Sequence, residues 1–502
     1  MVQTIIEDQN QDSKRKDLLG EVFTPPILIN ELLDQLPRSI WKNPDIKWLD
    51  PCAGRANFFD QIYPRIMDGL AAIFPKEADR RNHILKNMFT MIEINESNVR
   101  EIRKKWPGAK VIHQDFLEWT PPGGEAPPDI LVANPPYQMP KTEEYKGSVG
   151  NQTLWDLFLK KAIAMGTHHI GFITPSNWRR PEHPLYQEIA PKLTYLHIYS
   201  KEAGLEHFSV QSRFDLYWLN TKKGGSAPPD TKIPLLLDEK NQEYRNQIDI
   251  AKWPFLPNYF YRTIQRFLVK KGGADGDGIP IIFHSTLYDA RKLHKKRGKR
   301  YKYPVIHTIT KEGAGIRWTD VRDSSQFGIP KVILNMNEKQ YPILDETGKY
   351  GMSQLSFGIP IRTRKEGEAI IKCLNSATFQ EIIRATKWGS FQTDYRMFTY
   401  FRKDFYKKIC SGGGEAADAA TDTDSSTGPI NSSIGEERGE GGRGTKKVRK
   451  YPKVAENQES TAGIAESPPP DNLGKIEEME ELGNQKRTIK IKTMRKTRKI
   501  KK

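Results

Sequence analysis

Long apolar runs are missing from this 502-residue chain. No window approaches the eighteen or so apolar residues of a membrane span. The N-terminus, MVQTIIEDQNQDSKRKD, lacks the apolar core of a signal peptide. Three cysteines are too few for a disulfide framework. These shortages imply a protein that works in a reducing, intracellular, cytoplasmic setting, with nuclear targeting by its basic end if the host is eukaryotic. Internal repeats and a Walker A sequence are also lacking, which disfavours an ATP-driven translocating enzyme.

Acids are in short supply as well: 79 lysines and arginines face 62 aspartates and glutamates, a formal charge of +17. The stretch 411–502 holds 18 bases and 15 acids, or +3, so +14 remains on the rest of the chain. An excess spread over the folded part implies a polyanionic partner, and nucleic acid is the expected one.

Residues 20–220 alternate short β-rich runs (46–50, 89–94, 129–135, 169–175) with helical-period segments such as Ile27 to Leu36 and Glu96 to Trp106. That alternation predicts a doubly wound, Rossmann-like α/β sheet spanning 1–222. KKGGSAPPDTK, at the 223–232 boundary, reads as a linker. Residues 233–409 read as a mixed α/β domain with a basic run from Arg291 to Lys302. The remainder, 410–502, is poor in large apolar residues and is expected to be a disordered, charged tail.

The sharpest motif is Asn134-Pro135-Pro136-Tyr137, at the end of the strand DILVANPP. Ligands of open α/β sheets bind beyond the carboxyl ends of the strands, which is where this motif falls. The N6 lone pair of adenine is delocalised into its ring and is a poor nucleophile. An enzyme that localises it must accept hydrogen bonds from both N6 protons. The Asn134 side-chain oxygen and the Pro135 carbonyl supply two such acceptors, and consecutive prolines fix the backbone that carries them. Tyr137 would stack on a base flipped out of its duplex.

Three further elements precede it. Asp50-Pro51-Cys52-Ala53-Gly54-Arg55-Ala56 follows the first predicted strand, where small residues let a cofactor approach the backbone and Asp50 would hold a cationic amine. Gly20-Glu21-Val22-Phe23-Thr24-Pro25-Pro26 opens the first helix, with Thr24 near its N-terminus, and reads equally as a helix cap. Glu93 and Asp115-Phe116 end the next two strands: an acid placed to bond ribose hydroxyls, then an acceptor and a ring to read and cover an adenine.

Taken in order, these residues resemble the γ-class amino-methyltransferases, in which cofactor motifs precede Asn-Pro-Pro-Tyr and a target recognition domain follows. The resemblance covers 20–220: GEVFTPP as motif X, LDPCAGRANF as motif I, MIEIN as motif II, QDF as motif III, NPPY as motif IV, and QTLWDLFLKKAIA, GFITPSNW and EHFSVQSRFDLYWLN as motifs V, VI and VIII. It implies an adenine-N6 DNA methyltransferase that uses S-adenosyl-L-methionine, probes duplex DNA as a monomer without a membrane, and forms the modification arm of a restriction system with or without a cognate nuclease. It further implies that Thr24 meets the cofactor carboxylate, Asp50 its amine, Gly54 its backbone turn, Glu93 its ribose, and Asp115 and Phe116 its adenine. Asn134, Pro135 and Tyr137 become catalytic, and Phe208 covers the second face of the flipped base. One departure is Ala56, where the motif usually carries a second glycine.

Other readings fit less well. Pro51-Cys52 lies within the cofactor turn, whereas a cytosine-C5 enzyme needs its cysteine at the position that Asn134 occupies. N4-cytosine enzymes usually carry serine before Pro-Pro. Protein-glutamine methyltransferases share Asn-Pro-Pro-Tyr but are shorter and lack motif X and a large C-terminal domain. A nuclease pattern, Asp230 followed by Asp238, Glu239 and Lys240, has a short spacing and reads more simply as linker, strand and charged turn. A pure DNA-binding module would not need the cofactor motifs.

Overall fold

In β4 (Ile130–Ala133) all four residues are buried, as expected of a strand covered on both faces by helices. It belongs to a nine-stranded sheet in the computed structural model, which describes residues 23–123, 125–137, 153–222, 231–269, 278–389 and 393–410. Gly20, Glu21, Val22 and Asp230, most of the expected linker and the 411–502 tail lie outside the described residues.

The strands β1 (Trp48–Asp50), β2 (Phe89–Glu93), β3 (Lys110–His113), β4, β5 (His169–Pro175), β6 (Leu193–Tyr199), β7 (Phe214–Asn220), β8 (Leu235–Leu237) and β9 (Glu243–Arg245) run in the order 3-2-1-4-5-7-6-8-9. β1 to β5 are parallel, and β7 is antiparallel to both β5 and β6. The strand order turns back between β1 and β4, the switch point at which doubly wound sheets bind ligands. The expected doubly wound architecture is therefore present. The sheet also continues past residue 232, because β8 pairs with β6 and β9 with β8.

Longer helices flank these strands: α1 (Pro26–Asp34), α2 (Asn57–Gly69), α3 (Glu96–Lys105), α4 (Leu154–Ala164) and α5 (Lys201–Phe208). α1 begins on a Pro25 N-cap with Pro26 at its first position, where a missing N–H costs nothing. α3 starts where Asn95 accepts from the Ser97 N–H. Alternate strand residues enter different apolar clusters. Trp48, Met91, Val132 and Leu216 pack with α1 and α2, whereas Leu49, Ile92, Leu131 and Tyr217 pack with α4.

Beyond the large sheet the described residues form two three-stranded sheets and several helices, the mixed α/β content expected of this part. β10 (Tyr303–Thr310) sits between β11 (Gly313–Thr319) and β14 (Gly351–Met352). β12 (Lys331–Asn335) sits between β13 (Ile343–Asp345) and β15 (Ser356–Pro360). Val332 and Phe357, with Ile370 of α6 (Arg364–Leu374) and Phe379 of α7 (Ala377–Ala385), belong to the same apolar cluster as Leu49 and Leu131. No described helix is long and apolar enough to cross a membrane.

Candidate active site

The end of β1, the exit of β4 and the start of α1 meet at the switch point. Asn134 Nδ2 donates to Thr24 Oγ1 at 3.1 Å, and Asn57 Nδ2 donates to the Thr24 carbonyl at 3.0 Å. Thr24 therefore does not cap α1, which begins on Pro25 without a side-chain cap. Its hydroxyl, used here as an acceptor, keeps its one proton to donate. The bond also sets the Asn134 amide: with nitrogen turned to Thr24, the side-chain oxygen faces the other way. Pro135 beside it is buried, while Asn134 and Tyr137 are half-buried.

Asp50 is 1% exposed; its Oδ1 accepts from the Cys52 N–H at 3.1 Å, and its buried Oδ2 has no hydrogen-bond partner among the described residues. Burial, helped by the nearby negative charge of Glu93, pushes its carboxyl up to about 8. An orphaned buried carboxylate oxygen is what a ligand amine would satisfy. Glu93 Oε2 accepts from the Gly54 N–H and Oε1 from the Asn95 N–H, both at 2.7 Å. One acid at the end of β2 thus fastens the turn after β1.

The turn itself is left-handed at two residues, Gly54 with φ of 54° and Ala56 with φ of 67°. A side chain in that region costs about 1–2 kcal/mol, so Ala56, fully buried and immediately before α2, holds the departure from the glycine pattern at an energetic cost.

Asp115 Oδ1 accepts from the Leu117 N–H at 2.8 Å. Phe116 is 1% exposed and packs with Phe158 and Trp119, its ring centroid 5.1 Å from that of Phe158. Phe208, at the end of α5, packs edge-on against Phe214 at 4.9 Å, in the apolar cluster that includes α1 and α2. Tyr137 packs against the other cluster. Its buried hydroxyl has no hydrogen-bond partner among the described residues, and burial beside the Asp215 charge raises it well above the usual tyrosine range.

Cys52 Sγ lies 3.7 Å from the Asn134 carbonyl oxygen. Burial and the charges of Asp50 and Glu93 push its thiol well above the ordinary range, so a nucleophilic thiolate is disfavoured. Asp230 of the nuclease pattern lies outside the described residues, and the other members are otherwise engaged. Asp238 Oδ1 closes its own turn on the Lys240 and Gln242 N–H groups, Glu239 pairs with Arg213, and Lys240 with Glu381.

The sequence did not point to the charged knot behind Tyr137. Asp215, the second residue of the largely apolar β7, accepts from Ser176 Oγ and Arg179 Nε, each at 2.7 Å. Both Arg179 and Asp215 are fully buried. Arg179 also donates to the carbonyls of Leu256 and Pro257 at 3.0 Å and to Asn258 Oδ1 at 2.8 Å. A lone acid inside an apolar strand was the available signal.

Residues 59–195 match the family model described as Eco57I restriction-modification methylase, in agreement with the methylase family read from the motifs. A protein of Mycoplasma pneumoniae described as an uncharacterized adenine-specific methylase is 37% identical over 102 residues, 19% of this chain and 24% of the relative. The chain thus spans about a quarter of the length of that curated relative. Among solved structures, the type IIL restriction-modification enzyme MmeI in complex with DNA is 12% identical, with 77% of this chain and 68% of that chain covered at a TM-score of 0.46. The type I restriction enzyme EcoKI M protein is 15% identical, with 41% of this chain and 46% of that one covered at a TM-score of 0.31.

Proposed function

We propose that this chain transfers a methyl group from S-adenosylmethionine to N6 of an adenine flipped out of duplex DNA, at a sequence chosen largely by residues 233–409. The observation that carries the reading is the Asn134 amide, whose nitrogen is held by Thr24 at the switch point of the sheet, directing its oxygen away as a fixed acceptor.

The residues present fit the cofactor. The orphaned Asp50 Oδ2 would take its amine, the Thr24 hydroxyl proton its carboxylate, and the Glu93 carboxylate its ribose, with Gly54 at the turn and Asp115 and Phe116 on the adenine side. When bound, S-adenosylmethionine supplies an electrophilic methyl. The protein's part is then to bind, orient and desolvate. Asn134 Oδ1 and the Pro135 carbonyl accept from the two N6 protons, which localises the nitrogen lone pair toward the methyl. Tyr137 offers a ring face to the base, and Phe208 is the second candidate for stacking. Thr24 joins the two halves of the site, since one hydroxyl would touch the cofactor while it orients Asn134. The chain would act on double-stranded DNA as a monomer, as the modification arm of a restriction-modification system.

Transfer of labelled methyl to duplex DNA, with the product nucleoside identified, tests this reading. Asn134→Ala should lose on the order of 3 kcal/mol of transition-state stabilisation, a hundredfold or more in single-turnover rate. Cys52→Ala should stay near wild type. A product other than N6-methyladenine, or a near-normal rate for Asn134→Ala, would defeat the assignment.

A further inference from the structure

We infer that the hairpin formed by β10 and β11, with the basic loop that precedes it, is the arm that grips duplex DNA and presents a base-reading edge to its groove. This rests on the function proposed above and assigns the grip and the reading to named residues.

From Arg291 to Lys302 the chain carries Arg291, Lys292, Lys295, Lys296, Arg297, Lys299, Arg300 and Lys302 and no acid. All eight are exposed. Among the described residues, ion pairs engage Arg291 with Asp289 and Arg300 with Asp320, each at 2.7 Å. The loop is built rather than merely charged. The His294 and Tyr301 rings stack with centroids 3.4 Å apart and planes 17° apart. Between them the Gly298 N–H donates to the Tyr301 carbonyl at 3.2 Å, so the loop is a closed turn that holds its lysines outward. It is fastened to the root of the hairpin, because His294 and Trp318 exchange backbone hydrogen bonds of 2.9 and 2.8 Å. Arg297 lies over the Trp318 ring at 5.6 Å.

The hairpin has two unlike faces. Ile306 and Ile309 pack inward against Ile333 and Met352. β14 supports β10 only at Val305 and Ile306, so the outer part, from the irregularity at His307 to the turn, is a two-stranded ribbon. On its open face Thr308 stands opposite Gly315 and Thr310 opposite Gly313, all four exposed. A Cβ on Gly315 would fall 2.3 Å from Thr308 Oγ1, so a larger residue there would have to displace the Thr308 hydroxyl. The face offers the Thr308 hydroxyl over bare backbone, and beside it the Thr310 hydroxyl, which in the free protein donates to the Gly313 carbonyl at 3.4 Å. A two-stranded ribbon fits the major groove of B-DNA, threonine hydroxyls bond to base edges, and a surface without bulky side chains can approach them closely. Cations beside such a ribbon would reach the flanking phosphates, which position the protein without reading sequence.

The test uses the full chain, duplexes with and without its methylated site, and a salt titration. Lys295→Ala/Lys296→Ala/Lys299→Ala should weaken binding to all duplexes alike, on the order of a hundredfold at 0.1 M salt. It should also lower the salt slope by roughly 0.9 per lysine that had met a phosphate. Thr308→Ala/Thr310→Ala should keep the salt slope and broaden the set of sequences methylated, read by sequencing of modified plasmid. An unchanged slope in the first variant, or an unchanged methylation pattern in the second, overturns the assignment of the arm. If instead the wild-type protein neither binds duplex nor methylates it, the proposed function fails and the arm with it.

Discussion

Asp50 gives the sharpest quantitative test of the proposed cofactor site. Its carboxyl is pushed up to about 8 by burial, with Glu93 adding to the shift. A cationic amine needs the ionised form, so binding below that value must expel the carboxyl proton. The sign follows: affinity rises with pH until Asp50 is ionised without help, then levels. At pH 6, two pH units lower, only about one protein in a hundred carries the ionised group, so affinity falls roughly a hundredfold, about 2.7 kcal/mol. Titration of S-adenosylhomocysteine in buffers of different ionisation enthalpy would count the proton directly, with close to one released per ligand at pH 7. Asp50→Asn supplies the control. It mimics the neutral acid and cannot ionise, so its affinity should stay flat with pH and its deficit against wild type should grow from pH 6 toward pH 8. A flat wild-type affinity from pH 6 to 8, or an Asn variant that tracks wild type throughout, would refute the argument.

Tyr137→Phe should keep nearly full activity, since the hydroxyl removed has no partner among the described residues, whereas Tyr137→Ala should lose about 1–3 kcal/mol of base stacking in single-turnover transfer. Equal losses in both would show that the ring face is not what counts. Gly171→Ala places a methyl 2.8 Å from the Trp218 indole, whose nitrogen is tied to the Leu32 carbonyl, and should cost about 1–3 kcal/mol in chemical denaturation. No change in midpoint would mean that this strand pair yields more easily than the packing implies. Arg179→Leu leaves Asp215 without its cation and should lower the unfolding free energy by about 3–5 kcal/mol, while Arg179→Leu/Asp215→Leu recovers much of it. Greater damage in the double variant would contradict that account.

Much of the fold was legible because it rests on local patterns. The runs expected at 89–94, 129–135 and 169–175 appear as β2, β4 and β5, and the periodic segments at Ile27 and Glu96 as α1 and α3. Asn-Pro-Pro-Tyr identified the strand exit because prolines and a lone amide have few other uses there. The bond from Asn134 to Thr24 spans 110 residues, and that from Arg179 to Asn258 spans 79. Only topology brings such partners together, and no spacing rule reaches them. β8 and β9, at three residues each, are too short to carry a period, so their place at the edge of the large sheet was not readable. Glu93 was legible as an acid at a strand end; that it ties down the glycine turn through backbone N–H groups depends on two loops meeting.

The knot around Arg179 bears on how recognition is coupled to chemistry. Arg179 follows β5, Asp215 lies on β7 beside Tyr137, and the carbonyls of Leu256 and Pro257 belong to the chain beyond the expected linker. Asn258 is itself held by the end of α7 and the residues after it, through its N–H to the Ala385 carbonyl at 2.7 Å and its Nδ2 to the Lys387 carbonyl at 2.9 Å. A cut at 222 would strip a fully buried guanidinium of three acceptors and remove β8 and β9 from the sheet. The penalty of several kcal/mol for an uncompensated buried charge is comparable to the whole stability of a typical domain. Residues up to 222 therefore do not end at a natural seam in the core. A flexible tether would let a recognition segment bind DNA at many angles to the catalytic sheet. A shared core with a buried charge pair at its joint fixes one angle, and on the function proposed above a fixed angle would deliver a single adenine of a recognised sequence to Asn134.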